Sequence, residues 1–473
     1  MVDVAPRDAQ GILQSLQAGV VPRTGLQHLA VGRVAEIRQA LAELEVLRDG
    51  GGVFKIVVGD YGSGKTFFLT LVRQVALARG YLVADADLGP DLRFRGEDRG
   101  LATYRQLVAR LGSEARPAGG ALPLVLDRWA ERVRAGAALR LDAPEGPAAG
   151  GGLDLARVAP GGTGSLGAAA SGSAFRQGHP GAPGPTEHTP AWAAAVDREL
   201  RARLRPLQDQ PAGFAFAAVL RHYYEAALAG DDDGMAAALR FFRGEYRMVS
   251  AARAELRLPT VAPITDASWV EHLRLLALLA VDAGYAGLLA MCDEGVNLVR
   301  IAQPEARAAN YEVLLRLLND ALQGRAPHLG FYLAGPPEMV SDPRRGLHSY
   351  PALRSRLQAN PFADAAHRDL TQPVLLLPPL SAEELLALLL KVRALHVGLY
   401  GPSPLSEEDT AAFLQRLLSR PGAERFLTVR ETLRAFIQAS SVLQQNPELD
   451  RVAVLGEAES EITAQRFVEV ALE

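Results

Sequence analysis

The stretch FKIVVGDYGSGKTFFLTLV, Phe54–Val72, decides how this chain is read. A β-branched apolar run comes first, then a glycine-rich loop, then a second apolar run with helical spacing. Gly59, Gly64, Lys65 and Thr66 occupy the fixed positions of G-x-x-x-x-G-K-[ST], with Asp60, Tyr61, Gly62 and Ser63 between them. The spacing has a mechanism. Glycines admit torsions that turn successive N–H groups toward one point. Lys65 then reaches the β- and γ-phosphates of a nucleotide, and Thr66 offers a hydroxyl to Mg2+. The helix that opens there, with Phe67 in its first turn, aims its positive dipole end at the anion. A chance match in a glycine-rich chain is the alternative. The apolar runs on both sides supply the strand and helix such a match lacks.

Outward from this loop, the pattern predicts a parallel α/β core. A helix precedes a Pro/Gly-interrupted connector, and a second helix starts near Val34. GGGVFKIVVGD is a buried strand. TFFLTLVRQVALARG is a helix closed by Gly80, and YLVADADL is a second strand. GYAGLLAMCDE and HLGFYLAGPP are further strand candidates, with PVLLLPPL as a last one, and ARAANYEVLLRLLNDALQG between them is an amphipathic helix. Everything after LSAEELLALLLKVRALH reads as helical.

The bulk numbers exclude several classes. A chain of 473 residues exceeds one usual core, so two or three domains are expected. A net charge of −4 supplies no global field toward nucleic acid or an acidic membrane surface. One cysteine, Cys292, allows neither a disulfide framework nor a zinc cluster and fits the cytoplasm. MVDVAPRDAQ lacks the basic start and apolar core of a signal peptide, and no uncharged apolar run approaches the ~18–20 residues of a membrane span. Of the 50 basic residues only Lys55, Lys65 and Lys391 are lysines.

A phosphate loop needs an acidic partner at the end of a neighbouring strand. GLLAMCDEG supplies Asp293 to hold Mg2+ through water and Glu294 to orient and deprotonate an attacking water. An exposed acidic turn is the competing reading, weakened by the apolar run before it. An Asp-Glu pair points to a hydrolase with an additional strand in its sheet. The missing Asn-Lys-x-Asp signature argues against a GTPase, and no acceptor site marks a kinase. Lys65 and Asp293 stand much further apart than strands and crossover helices require. A helical insertion, about 101–263, is therefore expected inside the core. Within it, 141–190 is rich in Gly, Ala, Pro and Ser and reads as a disordered linker. RHYYEAAL and RFFRGEYR interleave arginine with aromatics, a pattern that can stack on nucleic-acid bases. Amphipathic helices with aromatics inside are the favoured reading. Asp85 and Asp87 read as strand-end polar residues.

AVGR, Ala30–Arg33, resembles the hydrophobic-Gly-Arg signature of AAA+ and STAND-like ATPases, which implies that Gly32 and Arg33 lie near the adenine. VPRTGLQHLAVGR, GDYGSGKTFFL, CDEGVNL and YEVLLRLLNDALQG together resemble the P-loop ATP-binding proteins of bacterial phage-defence (BREX-like) and tellurite-resistance-associated gene clusters. The similarity covers most of the chain outside the linker. It implies an AAA+-like ATPase with ATP and Mg2+ as cofactors. The core would be 1–100 and 264–380, and residues 381–473 a C-terminal helical lid. It implies work beside a helicase-like partner, with DNA reached through that partner or the insertion. It also implies that Arg430 contacts the γ-phosphate from the lid helix capped by Thr428, a solvated arginine being the equal alternative. A homo-oligomer would present one of Arg344, Arg345, Arg354 and Arg356 to its neighbour's site. One departure stands out: the fourth strand ends Gly335-Pro336-Pro337, where a γ-phosphate sensor would be Asn, Thr or Ser. That favours slow hydrolysis, or a nucleotide-gated adaptor with negligible turnover.

Overall fold

A computed structural model of the chain describes residues 4–22, 24–142, 189–363, 367–419 and 428–458. Strand β1 (Val53–Val58) is buried along its whole length, and its alternating side chains supply two different cores. Val53 and Val57 face the helices Val34–Arg48 and Lys65–Ala78 through Leu44, Phe68 and Val72. Phe54, Ile56 and Val58 face the opposite side, a cluster that includes Tyr104, Trp129, Trp269 and Phe331. A strand covered on both faces reads as a continuous apolar run, which is why VFKIVV stands out in the sequence.

Four more strands complete one sheet: β2 (Leu82–Asp87), β3 (Leu288–Asp293), β4 (Leu329–Gly335) and β5 (Val374–Leu376). All pairings are parallel and the spatial order is β2-β3-β4-β1-β5. Parallel neighbours need crossovers, which the helices supply. The register matters for function. Val58 pairs with Gly335 and Asp87 with Asp293, so the carboxyl ends of β1, β2, β3 and β4 finish level.

The helices between β2 and β3 run from Arg99 to Asp282 and pack directly on the sheet, sharing one core with it. The end of this excursion clasps its beginning. Asp266 accepts the N–H groups of Gly96 (2.7 Å) and Gly100 (2.6 Å), and the Trp269 indole N–H donates to the Phe94 carbonyl (3.0 Å). In RHYYEAAL and RFFRGEYR the aromatics Tyr223, Tyr224, Phe241, Phe242 and Tyr246 are buried. Arg221 pairs with Glu225, and Arg240 with Glu255. Helical burial fixes that spacing. Asp85 pairs with Arg73 (3.0 Å) and Asp87 with Arg110 (2.7 Å). The low-complexity segment lies outside the described residues over 143–188, as does RPGAE, 420–424.

A third core is built from both ends of the chain. Helices Ala382–Tyr400, Glu407–Leu418 and Val429–Gln445 pack around Leu389, Phe413 and Phe436. The N-terminal helix Pro6–Gln17 joins them through Ala9, Ile12, Leu13 and Leu16, an i, i+3, i+4, i+7 stripe. Ser381 with Glu384, and Ser406 with Asp409, form capping boxes that set where two of these helices start.

Lys55 is the one charged residue in β1 and is buried. Its ammonium lies 2.6 Å from Glu43 and donates to the carbonyls of Leu370 (3.1 Å) and Gln372 (2.7 Å), fixing the approach to β5. The Tyr332 hydroxyl also donates to Glu43, and burial raises that phenol well above its ordinary range. Breaking a buried pair from one side leaves an uncompensated charge. Lys55→Met is expected to cost about 3–5 kcal/mol of stability in urea unfolding. A loss below about 1 kcal/mol would show that the pair is not a structural keystone.

Candidate functional site

The side chains at the phosphate end owe their positions to the ends of strands. β1 ends at Val58 and the chain turns through Gly59–Gly64 into the helix Lys65–Ala78. Gly62 (φ 79°) and Gly64 (φ 90°) hold left-handed torsions that side chains resist. The turn is anchored to the next strand, since the Gly59 N–H donates to the Gly335 carbonyl (3.3 Å). The first N–H groups of the helix have no intrahelical acceptor and point into the loop. Ser63 is buried, and its hydroxyl has no hydrogen-bond partner among the described residues. An unmet donor inside a cradle of N–H groups is what a phosphate oxygen would satisfy.

Lys65 donates to the carbonyls of Gly59 (2.7 Å) and Asp60 (2.9 Å) and lies 5.4 Å from the Tyr61 ring centroid. Burial pulls its ammonium below the usual lysine range, while Asp293, Glu294 and Asp60 pull it back up. A polyanion placed there would favour the charged form further. The Thr66 hydroxyl donates to Asp293 Oδ2 at 2.7 Å across 227 positions of sequence. These two oxygens form a hard donor set of the kind Mg2+ takes alongside waters and phosphates. The residues therefore fit the ion.

Glu294 follows in a left-handed conformation (φ 57°), uncommon for a residue with a side chain. Its backbone is pinned on both sides. Its N–H donates to Asp293 Oδ1 (2.8 Å), and its carbonyl accepts both the backbone N–H (3.0 Å) and the side-chain amide (3.2 Å) of Asn297. The Asn297 amide also donates to the Leu88 carbonyl (3.0 Å), tying this turn to the end of β2. Asn297 belongs to CDEGVNL, and nothing local in the sequence marks this role.

One cavity of about 190 Å³ gathers these groups. Tyr61, Gly62, Ser63, Gly64, Lys65, Thr66, Phe67, Asp293 and Glu294 line it, together with Pro336 from the end of β4. Gly32 and Arg33 line it from the N-terminal connector, and Arg430 from the C-terminal helices. Gly59 and Asp60 form the base of the loop, where Lys65 binds their carbonyls. Leu16, Leu29, Val31, Ile37 and Leu388 make the remote end apolar, suited to the face of a base. Arg344, Arg345, Arg354 and Arg356 do not line the cavity. Arg345 donates to the Ile301 carbonyl (3.1 Å) and Arg356 to Asn319 (2.7 Å).

A parallel sheet with a phosphate loop after one strand, and an acid pair ending the strand two places away, defines a P-loop nucleotide-binding protein. The family described as BREX system ATP-binding protein BrxC/D matches residues 4–146 and 179–459, and the chain belongs to that family. The match breaks within the Gly/Ala/Pro-rich segment. Neither curated proteins nor solved structures gave a match. Membership implies an ATP-binding role in phage defence. No helix among the described residues is long and apolar enough to cross a membrane.

Thr428 touches the loop itself. A Cβ at Gly62 would lie 2.6 Å from Thr428 Cβ, on a backbone already at φ +79°. Strain of this kind costs on the order of 1–3 kcal/mol. Gly62→Ala is therefore expected to weaken ATP binding about tenfold or more by calorimetry. An unchanged affinity would mean that neither the torsion nor the Thr428 contact shapes the loop.

Proposed function

We propose that the chain is a Mg2+-dependent ATPase of the AAA+/STAND-like class that couples ATP binding and hydrolysis to a change of conformation or assembly. The observation that carries this reading is the meeting of Lys65, Thr66, Asp293 and Glu294 in one cavity, with Thr66 bonded to Asp293. Strand β4 between β1 and β3 supports it, since an interposed strand separates such hydrolases from GTPases and small-molecule kinases.

In this reading Lys65 and the loop N–H groups bind the phosphates, and Thr66 and Asp293 hold the ion. The ion, when bound, neutralises charge on the phosphate oxygens. Glu294, pinned by Asn297, orients a water and accepts its proton. Arg430 reaches the phosphate end from the lid, and Gly32 and Arg33 lie on the base side. The organisation follows: a nucleotide core of 1–100 and 264–380, an insertion at 101–263 and a lid from 381. The protein would act in the cytoplasm beside a helicase-like defence protein, reaching DNA through that partner or the insertion. Arg344, Arg345, Arg354 and Arg356, all exposed after β4, are the arginines a homo-oligomer would offer to a neighbour.

A nucleotide-gated adaptor is the second reading, favoured by Pro336 at the end of β4, which offers no hydrogen to a γ-phosphate. Two variants separate the readings. Lys65→Ala is expected to abolish measurable ATP binding. Glu294→Gln is expected to bind ATP normally and lose at least about 100-fold in kcat. Negligible wild-type turnover would establish the adaptor, and turnover in Glu294→Gln equal to an active wild type would show that Glu294 is not the base.

A further inference from the structure

The AVGR tetrapeptide lies between the phosphate loop and the C-terminal helices, and each of its residues has a distinct contact. The Ala30 carbonyl accepts Lys391 Nζ at 2.6 Å, from the middle of helix Ala382–Tyr400. Val31 lines the cavity. Gly32 holds φ +61°, and a methyl there would collide with the carboxylate of Glu384. That carboxylate cannot simply swing away, because it accepts the Ser381 N–H (2.9 Å) in the capping box that starts the same helix. Arg33, itself left-handed at φ 57°, turns its guanidinium in two directions. It donates to the Ser63 carbonyl of the phosphate loop (3.0 Å) and to the Pro378 carbonyl just beyond β5, where the chain leaves the sheet for the C-terminal helices. Glu36 backs Arg33 at 3.7 Å and is itself held by Arg368 (2.8 Å).

Two bonds therefore run in opposite senses. Arg33 reaches from the N-terminal connector to the exit of the sheet, and Lys391 reaches from the C-terminal helices back to the connector. Both are charge-assisted donors on backbone carbonyls, stronger and shorter than neutral pairs. The body they attach is a single one, since Pro6–Gln17 shares a core with the C-terminal helices. The cavity lies between that body and the sheet.

We propose that residues 30–33, Lys391 and Glu384 form a strap that makes the phosphate loop and the C-terminal helical body respond as one unit. Arg33 and Lys391 are its positioning residues, acting through Ser63 and Ala30. Anion binding at the loop sets the Ser63 carbonyl, Arg33 carries that setting to Pro378, and Lys391 with Glu384 fixes the helix that follows. The functional part of the inference rests on the ATP-binding reading; the mechanical part does not.

Two measurements test it on the full chain. In the nucleotide-free protein, Lys391→Met is expected to raise amide hydrogen exchange severalfold at residues 60–66, a segment the lysine does not touch. Lys391→Gln, which keeps a neutral donor, should restore much of the protection, separating the bond from mere packing. Loop exchange unchanged in Lys391→Met would overturn the strap. The second measurement is a double-mutant cycle on ATP affinity. Arg33→Met and Lys391→Met are each expected to weaken binding about tenfold, the scale of one such bond. If they cut one strap, the double variant loses well under the roughly hundredfold that independent sites give. Losses that multiply in full would sink the proposal. A wild-type chain that fails to bind ATP would sink the nucleotide reading instead, and the exchange measurement would still decide the strap.

Discussion

Three lysine ammonium groups converge on backbone carbonyls, and the arrangement around the cavity depends on them. The chain writes arginine nearly everywhere, and many of its arginines do what a planar fork does well, pairing with carboxylates as Arg73 does with Asp85 and Arg203 with Asp282. Lysine appears where donors must spread from one compact point. Lys55 gathers the carbonyls that lead into β5. Lys65 gathers those at the base of the phosphate loop. Lys391 takes the Ala30 carbonyl. A guanidinium is broader and cannot rotate its hydrogens as an ammonium can.

The second of these has a further consequence. Lys65 donates to two of the loop's own carbonyls, which holds the cradle in shape around the N–H groups. The buried Ser63 hydroxyl stays unmet among the described residues. The loop is thus held in shape before an anion arrives, with a buried hydroxyl still to be paired. An incoming triphosphate meets a cradle already formed, which is what pre-organisation means in energetic terms.

Much of this was legible in sequence because it rests on local chemistry. The loop torsions need glycine at fixed places, buried parallel strands need unbroken apolar runs, and an acid pair after such a run marks a strand end. Lys65 stood out for being lysine at all. What sequence did not reveal is non-local. The stripe Ala9, Ile12, Leu13, Leu16 announces a helix with a buried face but not that Leu389 and Phe436 cover it. The long excursion after β2 was legible as helical, yet its sharing of one core with the sheet depends on non-local contacts such as Phe94, which stacks on Trp269 and meets Phe331 edge-on. Lys391 was as conspicuous as Lys65, but nothing local to it says that its acceptor lies 361 positions away. Asn297 is similar: its value comes from Leu88, 209 positions away.

The position of the cavity turns these separate facts into a constraint on function. Its phosphate end belongs to the sheet, through the loop and Asp293. Its apolar end belongs partly to the other body, through Leu16, Leu29 and Leu388. A ligand long enough to fill both ends must contact both bodies, and a shorter one need not. A nucleotide is such a ligand, with its charge and its base at opposite ends. Differential contact is the physical requirement for any ligand to shift a conformational equilibrium. A site formed wholly within the sheet would bind phosphate equally well and report nothing. The placement of helix Pro6–Gln17 with the C-terminal helices therefore matters more to the protein's use of ATP than any additional contact within the loop would.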